Sequence, residues 1–476
     1  MQAKADGATA PPGPGFSWLR LGWDAAALFL GRAMPIHDLL TERARQFGDL
    51  VLVRVPNDVI IVSRPEYVRQ VLATDAPITV KHRFARYMGL ALGNGQFTAE
   101  GDLWARNHKL VVGAFSKGKV AGYTNAFAKV FHDLDSDWSQ RFASNDRQPL
   151  EVDMTAEMSS VTLRAVGLAL FGAELQGHTS VVGTALADIL AALEHTRYPA
   201  GALLLKGPLP QAVRLRHGVA VMHALADELV RQHRDDPDRY GGDALSELLA
   251  ARDEDGQPLS IQQLRDEVTT LLLAGHETTA MAMTWAWMLL GQHPHVATRL
   301  HQEVDALHSE LLDPGLGFEP ALPYTRAVIA ESLRLYPPVW AFGRMYTEEG
   351  RIGGCPVRPG TDVFLPQWVV HRDRRWWGDD VEAFRPERWL RDAPGTPAGC
   401  TFSMKAPGHP RDAFFPFGMG KRVCLGESFA WAEAVIGLAT LARRWSATPK
   451  IGWAADEYPS FTLRPKGGLP MTLSPR

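Results

Sequence analysis

One cysteine, Cys424, lies in a glycine-rich loop directly before a helix-forming stretch, an arrangement that suits a metal-binding sulfur. The loop covers residues 417–426 and includes Gly418 and Gly420, and the apolar stretch runs from 427 to about 441. Glycine lets the backbone fold closely around the sulfur, because it tolerates left-handed and crowded conformations. Unpaired N–H groups and the positive end of the helix macrodipole favour the thiolate and lower the pKa of the thiol. One thiolate cannot complete a structural zinc site, but it can serve as an axial ligand of a haem iron.

The order of residues around Cys424 is more specific than a buried cysteine in a turn, the usual interpretation of a lone cysteine. Gly420 lies three positions after Phe417, and Arg422, Cys424 and Gly426 follow it at intervals of two positions. This order resembles, residue for residue, the haem-ligand loop of the cytochrome P450 family. The resemblance implies haem b (iron protoporphyrin IX), with Cys424 as axial ligand and Phe417 packed beside the sulfur. It also implies a mainly α fold with small β-sheets, in which a long central helix and the cysteine loop enclose the haem.

An acid and an alcohol, Glu277 and Thr278, interrupt an otherwise apolar stretch over residues 261–291. The small residues Ala274 and Gly275 leave room for a large flat group against this predicted helix. Thr278 can hydrogen-bond back to the carbonyl of Ala274 and loosen the helix. Threonines that merely satisfy themselves are the simpler interpretation, but burying Glu277 requires a partner. The stretch resembles the oxygen-activation segment of the same family, which implies that Glu277 and Thr278 organise protons for the bound dioxygen.

Opposite charges stand three residues apart at Glu331 and Arg334, on one face of a predicted helix. As an isolated pattern this is a solvated surface pair that contributes little. However, Leu-Tyr-Pro-Pro follows at 335–338, and Phe-Arg-Pro-Glu-Arg-Trp occurs at 384–389. In the family, such motifs form a buried triad. The resemblance therefore implies that Glu331, Arg334 and Arg388 hold the region that presents the thiolate, where loss of one member is costly.

The two haem propionates need hydrogen-bond donors, and the resemblance supplies them by position. The family uses a helix tryptophan with a basic residue four later, an arginine after the Pro-Pro turn, and the basic residue two before the cysteine. The weakest match is His108, since many relatives have arginine there and an ordinary surface histidine is an equal alternative without the other motifs. The implied cofactor-binding residues are Trp104, His108, Ala274, Arg344, Phe417, Gly418, Arg422 and Gly426.

Substrate contacts in the family come from the loop before the helix tryptophan, the long helix, the segment after Pro-Pro, and the C-terminal region. The corresponding residues here are Phe84, Leu90, Phe97, Leu273, Ala274, Val339, Trp340, Phe342 and Phe461. A plain core position is a serious alternative for each of them. Their apolar character implies a mostly hydrophobic small-molecule substrate.

Helical periodicity dominates the elements that must position these residues. Helices are predicted over residues 65–72, 104–114, 121–170, 180–196, 210–233, 243–252, 261–291, 294–309, 323–335 and 427–441. Alternating valine and isoleucine predict a β-hairpin over residues 50–62, and short strands are predicted at 343–346, 351–352, 362–365 and within 461–473. Irregular loops are predicted over 77–99 and 391–411. Since no linker composition interrupts the chain, we expect one domain over 16–476 behind a disordered arm over 1–15.

Composition excludes several other classes of protein. The 476 residues carry a formal charge of −3, with 46 % hydrophobic and 22 % charged residues, an ordinary globular balance. Nucleic acid is an unsuitable partner, because its phosphates require a basic face. Three cysteines make no disulfide framework and fit a reducing cytoplasm. Charged residues interrupt the apolar segment 16–34, which predicts neither a membrane anchor nor a signal peptide.

The predicted activity is that of a haem-thiolate monooxygenase, which inserts one oxygen atom from O2 into a hydrophobic small molecule by hydroxylation or epoxidation. Two electrons must come from a separate ferredoxin or flavin-containing reductase docking near Lys421 and Arg422, unless the chain is the haem portion of a longer fusion. Three alternatives stay open: a peroxide-driven haem oxygenase of the same fold, a non-enzymatic haem binder or sensor, and a helical protein without haem.

Overall fold

Helices form most of the chain, as expected from the sequence, in a computed structural model that describes residues 10–13, 36–55, 57–174, 179–194, 205, 207–307, 322–392, 399–406 and 408–476. The helices are α1 Ile36–Phe47, α2 Pro65–Arg69, α3 Arg83–Leu92, α4 Gly101–Val111, α5 Lys117–Ser144, α6 Met154–Phe171, α7 Thr179–Glu194, α8 Pro210–Asp235, α9 Ala244–Ala250, α10 Ile261–Gln292, α11 Pro294–Ala306, α12 Pro323–Leu335, α13 Gln367–Val370, α14 Arg374–Trp377 and α15 Glu427–Ala442. The strands are β1 Leu50–Val55, β2 Asn57–Val62, β3 Thr79–Lys81, β4 Leu150–Asp153, β5 Phe342–Tyr346, β6 Gly350–Ile352, β7 Cys355–Val357, β8 Asp362–Leu365, β9 Leu390–Asp392, β10 Cys400–Phe402, β11 Trp445–Pro449, β12 Glu457–Pro459, β13 Leu463–Pro465 and β14 Pro470–Pro475.

The chain divides into two compact units. The first consists of Met1–Arg83, Val339–Ala383 and Gly408–Cys424, and the second of Phe84–Pro338, Phe384–Pro407 and Leu425–Arg476. A single domain over residues 16–476 stays a prediction. Most of the predicted N-terminal arm, residues 1–9 and 14–15, lies outside the described residues.

A five-stranded sheet forms the centre of the first unit, in the order β1-β2-β8-β5-β3. The predicted hairpin is confirmed, since β1 and β2 pair antiparallel with Leu50 opposite Val62. The turn residue Pro56 lies outside the described part. Strand β8 pairs parallel to β2, and β5 pairs antiparallel to β8 and to β3. Buried apolar side chains of these strands, together with Val71 and Phe415, form one hydrophobic cluster, and this cluster supports the cysteine-bearing segment.

The second unit is organised by α10, which confirms the long helix predicted over residues 261–291. Ser260 and Gln263 form a reciprocal capping box at its start. Most of its side chains are buried, because it packs against α6, α8, α12 and α15. In the described ranges, no helix combines the length and the apolar character needed to cross a bilayer.

Three predicted elements were wrong, each for a local physical reason. The stretch 77–99 contains α3, whose buried side chains are small or flexible residues such as Ala85, Met88 and Ala91 rather than the conspicuous aromatics. The helix predicted over 121–170 is broken at Asp146, whose φ of 49° is left-handed, and by strand β4. The loop predicted over 391–411 contains the hairpin of β9 and β10, although residues 393–398 and 407 lie outside the described residues.

Candidate active site

The cysteine loop of the first unit is a tight turn held by its own backbone. The N–H of Cys424 donates to the carbonyl of Phe417 at 2.8 Å. Gly418 and Gly420 have φ values of 76° and 72°, which disfavour other residues. At Gly420 a Cβ would also lie 2.4 Å from the carbonyl oxygen of Leu72. The loop therefore presses against the chain after α2, and the thiol of Cys424 remains exposed.

Phe342 of the first unit lies against this loop, and Arg344 and Arg422 carry positive charge. The ring of Phe342 lies over the loop, because a Cβ at Gly418 would come 3.3 Å from its Cζ. Arg344, on the same strand, is 9 % exposed and donates to the carbonyl of Gly343 at 3.0 Å. Arg422 is half-buried, two residues before the cysteine. A thiol and two guanidinium groups match the chemistry of haem, whose iron takes a thiolate and whose propionates take charged donors.

The second unit presents an exposed small residue, Ala274, on α10, and the surface there suits a flat cofactor. Ala274 is exposed and Gly275 and Thr278 are half-buried, on a helix that is otherwise mostly buried. The hydroxyl of Thr278 donates to the carbonyl of Ala274 at 2.7 Å, the backbone bond expected from the sequence. With its proton held there, Thr278 Oγ1 can still accept a hydrogen bond.

Glu277 forms its hydrogen bonds outside α10, unlike its neighbour Thr278. Its side chain is 5 % exposed, and its Oε1 accepts from the Thr462 hydroxyl at 2.7 Å and from the Arg464 guanidinium at 2.5 Å. Both donors come from the segment around β13. Sequence reasoning required a partner for a buried acid but missed these two, which both lie within three residues after Phe461.

A second acid near the same helix was also missed. Glu433, on α15, is fully buried beside Thr279 of α10. Burial raises the pKa of Glu433 well above its usual value, and the Thr279 hydroxyl opposes that shift only in part. Burial therefore favours the neutral form of this carboxyl. The available signal was its position inside an otherwise apolar helix.

The structure brings Glu331, Arg334 and Arg388 together in a buried cluster. Arg334 donates to both carboxylate oxygens of Glu331, at 2.8 and 2.9 Å, and Arg388 Nε donates at 3.2 Å. Two unpredicted donors complete the shell: the indole of Trp389 at 2.9 Å and the backbone N–H of Arg385 at 3.2 Å. These interactions join α12 to the segment that contains residues 385–389.

Trp104 and His108 lie together on α4, with their rings stacked at 4.8 Å. The Nδ1 of His108 is 2.8 Å from the amide nitrogen of Gln96, a partner that the sequence did not indicate. His108 is half-buried, and its role at a propionate stays a prediction.

The predicted substrate residues come from both units. Phe97 and Phe461 form an edge-to-face pair at 6.2 Å. Leu90 is 37 % exposed, whereas Leu273 is 1 % exposed and occupies a core position. In the first unit Val339, Trp340 and Phe342 are half-buried, and Phe342 packs on the core residue Phe415. The side chain of Phe84 lies outside the described part.

Comparison with known proteins identifies a single family across nearly the whole length. The family model described as "Cytochrome P450" matches residues 11–469. "Cyclooctatin synthase" of Streptomyces melanosporofaciens is 32 % identical over 437 residues, 90 % of this chain and 87 % of that protein. "Pentalenene oxygenase" of Streptomyces avermitilis is 30 % identical, covering 87 % of each. "Bifunctional cytochrome P450/NADPH--P450 reductase" of Bacillus cereus is 28 % identical over 91 % of this chain but 40 % of its own length.

Proposed function

Because the chain belongs to the cytochrome P450 family and is a haem b-dependent monooxygenase, we propose that it inserts an oxygen atom from O2 into a cyclic hydrocarbon-like substrate, with Cys424 as the ligand of the haem iron. The observation that carries the ligand assignment is the exposed thiol at the end of a turn whose glycines admit no larger residue. The substrate class rests on the apolar candidate residues and on the relatives named for cyclooctatin and pentalenene.

When bound, haem with a thiolate ligand supplies the oxygen activation and transfer chemistry. From the first unit, Cys424 would ligate the iron, and Arg344 and Arg422 would bind propionates. From the second unit, Trp104 and His108 would donate to propionates. The exposed surface at Ala274 offers no side chain beyond Cβ, and this leaves space for a planar group.

Thr278 and Glu277 would divide the handling of protons between them. The Thr278 hydroxyl donates a hydrogen bond to the Ala274 carbonyl. Its Oγ1 is therefore available as an acceptor that orients a proton donor. Glu277 in this arrangement is a carboxylate that accepts two hydrogen bonds on one oxygen. Its second oxygen is the atom at which a proton would be taken up and passed on.

The electron donor would be a separate ferredoxin or flavin-containing reductase. Lys421 is exposed and Arg422 half-buried on the cysteine loop, and Arg69, the last residue of α2, has a 64 % exposed side chain that pairs with Asp412 at 3.3 Å. This positive surface of the first unit suits an acidic partner. We expect its contribution to association to weaken with salt.

Carbon monoxide binding to the reduced protein tests the ligand. We expect the purified protein to show the red-shifted absorption band of thiolate-ligated haem, and Cys424→Ala to abolish it. Cys355→Ala and Cys400→Ala are matched controls, because both cysteines are half-buried elsewhere and should leave the band intact. A band that survives Cys424→Ala would overturn the assignment, and a colourless wild-type protein would favour a helical protein without haem.

A further inference from the structure

Two buried acids at the second turn of α10 hold a loop rather than a cation or a substrate. Asp266 is 4 % exposed and Glu267 fully buried. Asp266 Oδ2 accepts from the backbone N–H of Asn94 at 2.8 Å, and Glu267 Oε2 accepts from that of Gln96 at 3.0 Å. The side-chain amide of Asn107 donates to Glu267 Oε1 at 3.4 Å. Hydrogen bonds to an ionised acceptor are the stronger kind, so residues 94 and 96 are tied to the helix at alternate positions.

The backbone of residues 93–95 lies in close contact with α10. Gly93 has a φ of 56°, and a Cβ there would lie 2.2 Å from Asp266 Oδ1. A Cβ at Gly95 would lie 2.7 Å from the carbonyl oxygen of Asp266 and 2.4 Å from the Thr270 hydroxyl. Both glycines are therefore required by the contact with the helix, and the carboxylates act on a backbone already pressed against them.

The same loop carries side chains that face two predicted sites. Gln96 reaches His108, the candidate propionate residue, at 2.8 Å. Phe97 is 38 % exposed and meets Phe461 in an edge-to-face pair at 6.2 Å. Thr98 closes the loop by donating to the carbonyl of Gly93 at 2.6 Å. The position of Phe97 is thus fixed by a backbone that Asp266 and Glu267 hold.

We propose that Asp266 and Glu267 are positioning residues for substrate selection, which act by holding the 93–98 loop so that Phe97 faces Phe461. This inference rests on the proposed function, since it takes Phe97 as a substrate contact. A carboxylate is needed at each position because both of its oxygens meet donors. Asp266 Oδ1 accepts from Gln262 at 2.7 Å, and an amide in its place would present a donor to a donor.

Hydrogen exchange on the haem-loaded protein is the first test. Glu267→Gln should increase exchange of the Gln96 amide by about tenfold or more, the loss expected for one bond to a charged acceptor, with α10 itself unchanged. Asp266→Asn should do the same at Asn94, which keeps the test available if one variant folds poorly. Asp227→Asn is the control, because its carboxylate binds Arg265 at 2.6 Å beside this turn but does not hold the loop.

Substrate titration provides the second readout. The spin-state change of the ferric haem should give a dissociation constant for pentalenene about tenfold higher in Glu267→Gln, with a smaller change for a compact ligand such as cyclohexane. If Glu267 acts through Phe97, adding Glu267→Gln to Phe97→Ala should change selectivity no further. Additive effects, unchanged loop exchange, or lower stability with unaltered selectivity would each overturn the proposal. Failure of the proposed function would show separately, as loss of the carbon monoxide band in the wild-type protein.

Discussion

Glu331 and Glu277 are both buried carboxylates on helices of the second unit, but the donors around them differ. Glu331 is fully buried and accepts from two arginines, one indole and one backbone N–H, with both oxygens used. Glu277 is 5 % exposed and accepts its hydrogen bonds from Thr462 and Arg464 on one oxygen, and the Arg464 side chain is 30 % exposed. A carboxylate whose two oxygens both accept hydrogen bonds holds structure in place. A carboxylate bonded through one oxygen to a partly exposed arginine can exchange partners.

The largest effect should come from breaking the saturated cluster. We expect Arg334→Ala to lower the free energy of unfolding by about 3–5 kcal/mol, because it leaves the buried Glu331 charge without its bidentate partner. Urea unfolding of the haem-loaded protein measures it. Arg231→Ala, which removes an exposed pair with Glu228, should cost less than about 1 kcal/mol. Equal losses of unfolding free energy in the two variants would show that the buried cluster stabilises the protein no more than the exposed pair does.

Glu433 is a third kind of buried acid, because no cation lies in its described surroundings. Burial raises the pKa of Glu433 above its ordinary value of 4.5, so the folded protein keeps a proton that the unfolded chain releases. Its contribution to stability is complete below pH 4.5 and is lost as the pH rises toward the folded-state pKa, by up to about 1.4 kcal/mol per pH unit.

The substitution Glu433→Gln should therefore flatten the fall in stability above pH 4.5, as measured by urea unfolding at a series of pH values. Glu66→Gln, at a side chain that is 54 % exposed, should leave the slope as in the wild type. A wild-type slope in Glu433→Gln would show that this carboxyl is ionised in the folded protein.

Removing the cation from Glu277 should cost less than breaking the Glu331 cluster. We expect Arg464→Gln to lower the free energy of unfolding by about 1–2 kcal/mol, since solvent screens the half-buried guanidinium and Thr462 continues to donate. Lys466→Gln, at a side chain that is 66 % exposed, is the matched control. A loss as large as that of Arg334→Ala would mean that Glu277 is also a structural anchor.

The smallest change in stability should come from Thr278→Ala. Its hydroxyl bonds only within its own helix in the described contacts, so unfolding should shift by less than about 1 kcal/mol. Product formed per O2 consumed should nevertheless fall by about a hundredfold, because proton positioning is lost, while Thr278→Ser should retain most of it. Unchanged turnover in Thr278→Ala with peroxide alone would instead favour the peroxide-driven oxygenase.

The difference between these regions also explains what the sequence could predict. The cysteine loop, the long helix and the Glu331–Arg334 pair were recognisable because their residues are fixed by short spacings. Arg388, 57 residues after Glu331, was placed only by the resemblance to the family's second motif. Arg464 lies 187 residues from Glu277, and no local pattern links the two. The haem and the monooxygenase class came from the motif order, and the family match confirms them.

Missed elements share a second cause, which is tertiary contact overriding a weak local signal. Helix α3 buries Ala85, Met88 and Ala91, and these residues make a fainter apolar rhythm than the aromatics beside them. Strand β4 forms because β14, more than 300 residues later, pairs with it. Likewise, Asp266 and Glu267 resemble solvated charges at the start of a helix until the loop that covers them is placed.

The neighbours of Glu277 connect two properties that protein engineers usually vary one at a time. Phe461, which faces Phe97, is covalently followed by Thr462, which donates to Glu277. If Phe461 contacts the substrate, as proposed, we expect a library that enlarges or empties position 461 to move the adjoining Thr462 hydroxyl as well. Altered scope and wasted reducing equivalents should therefore arise together, so selection for turnover alone will favour second changes at 462–464.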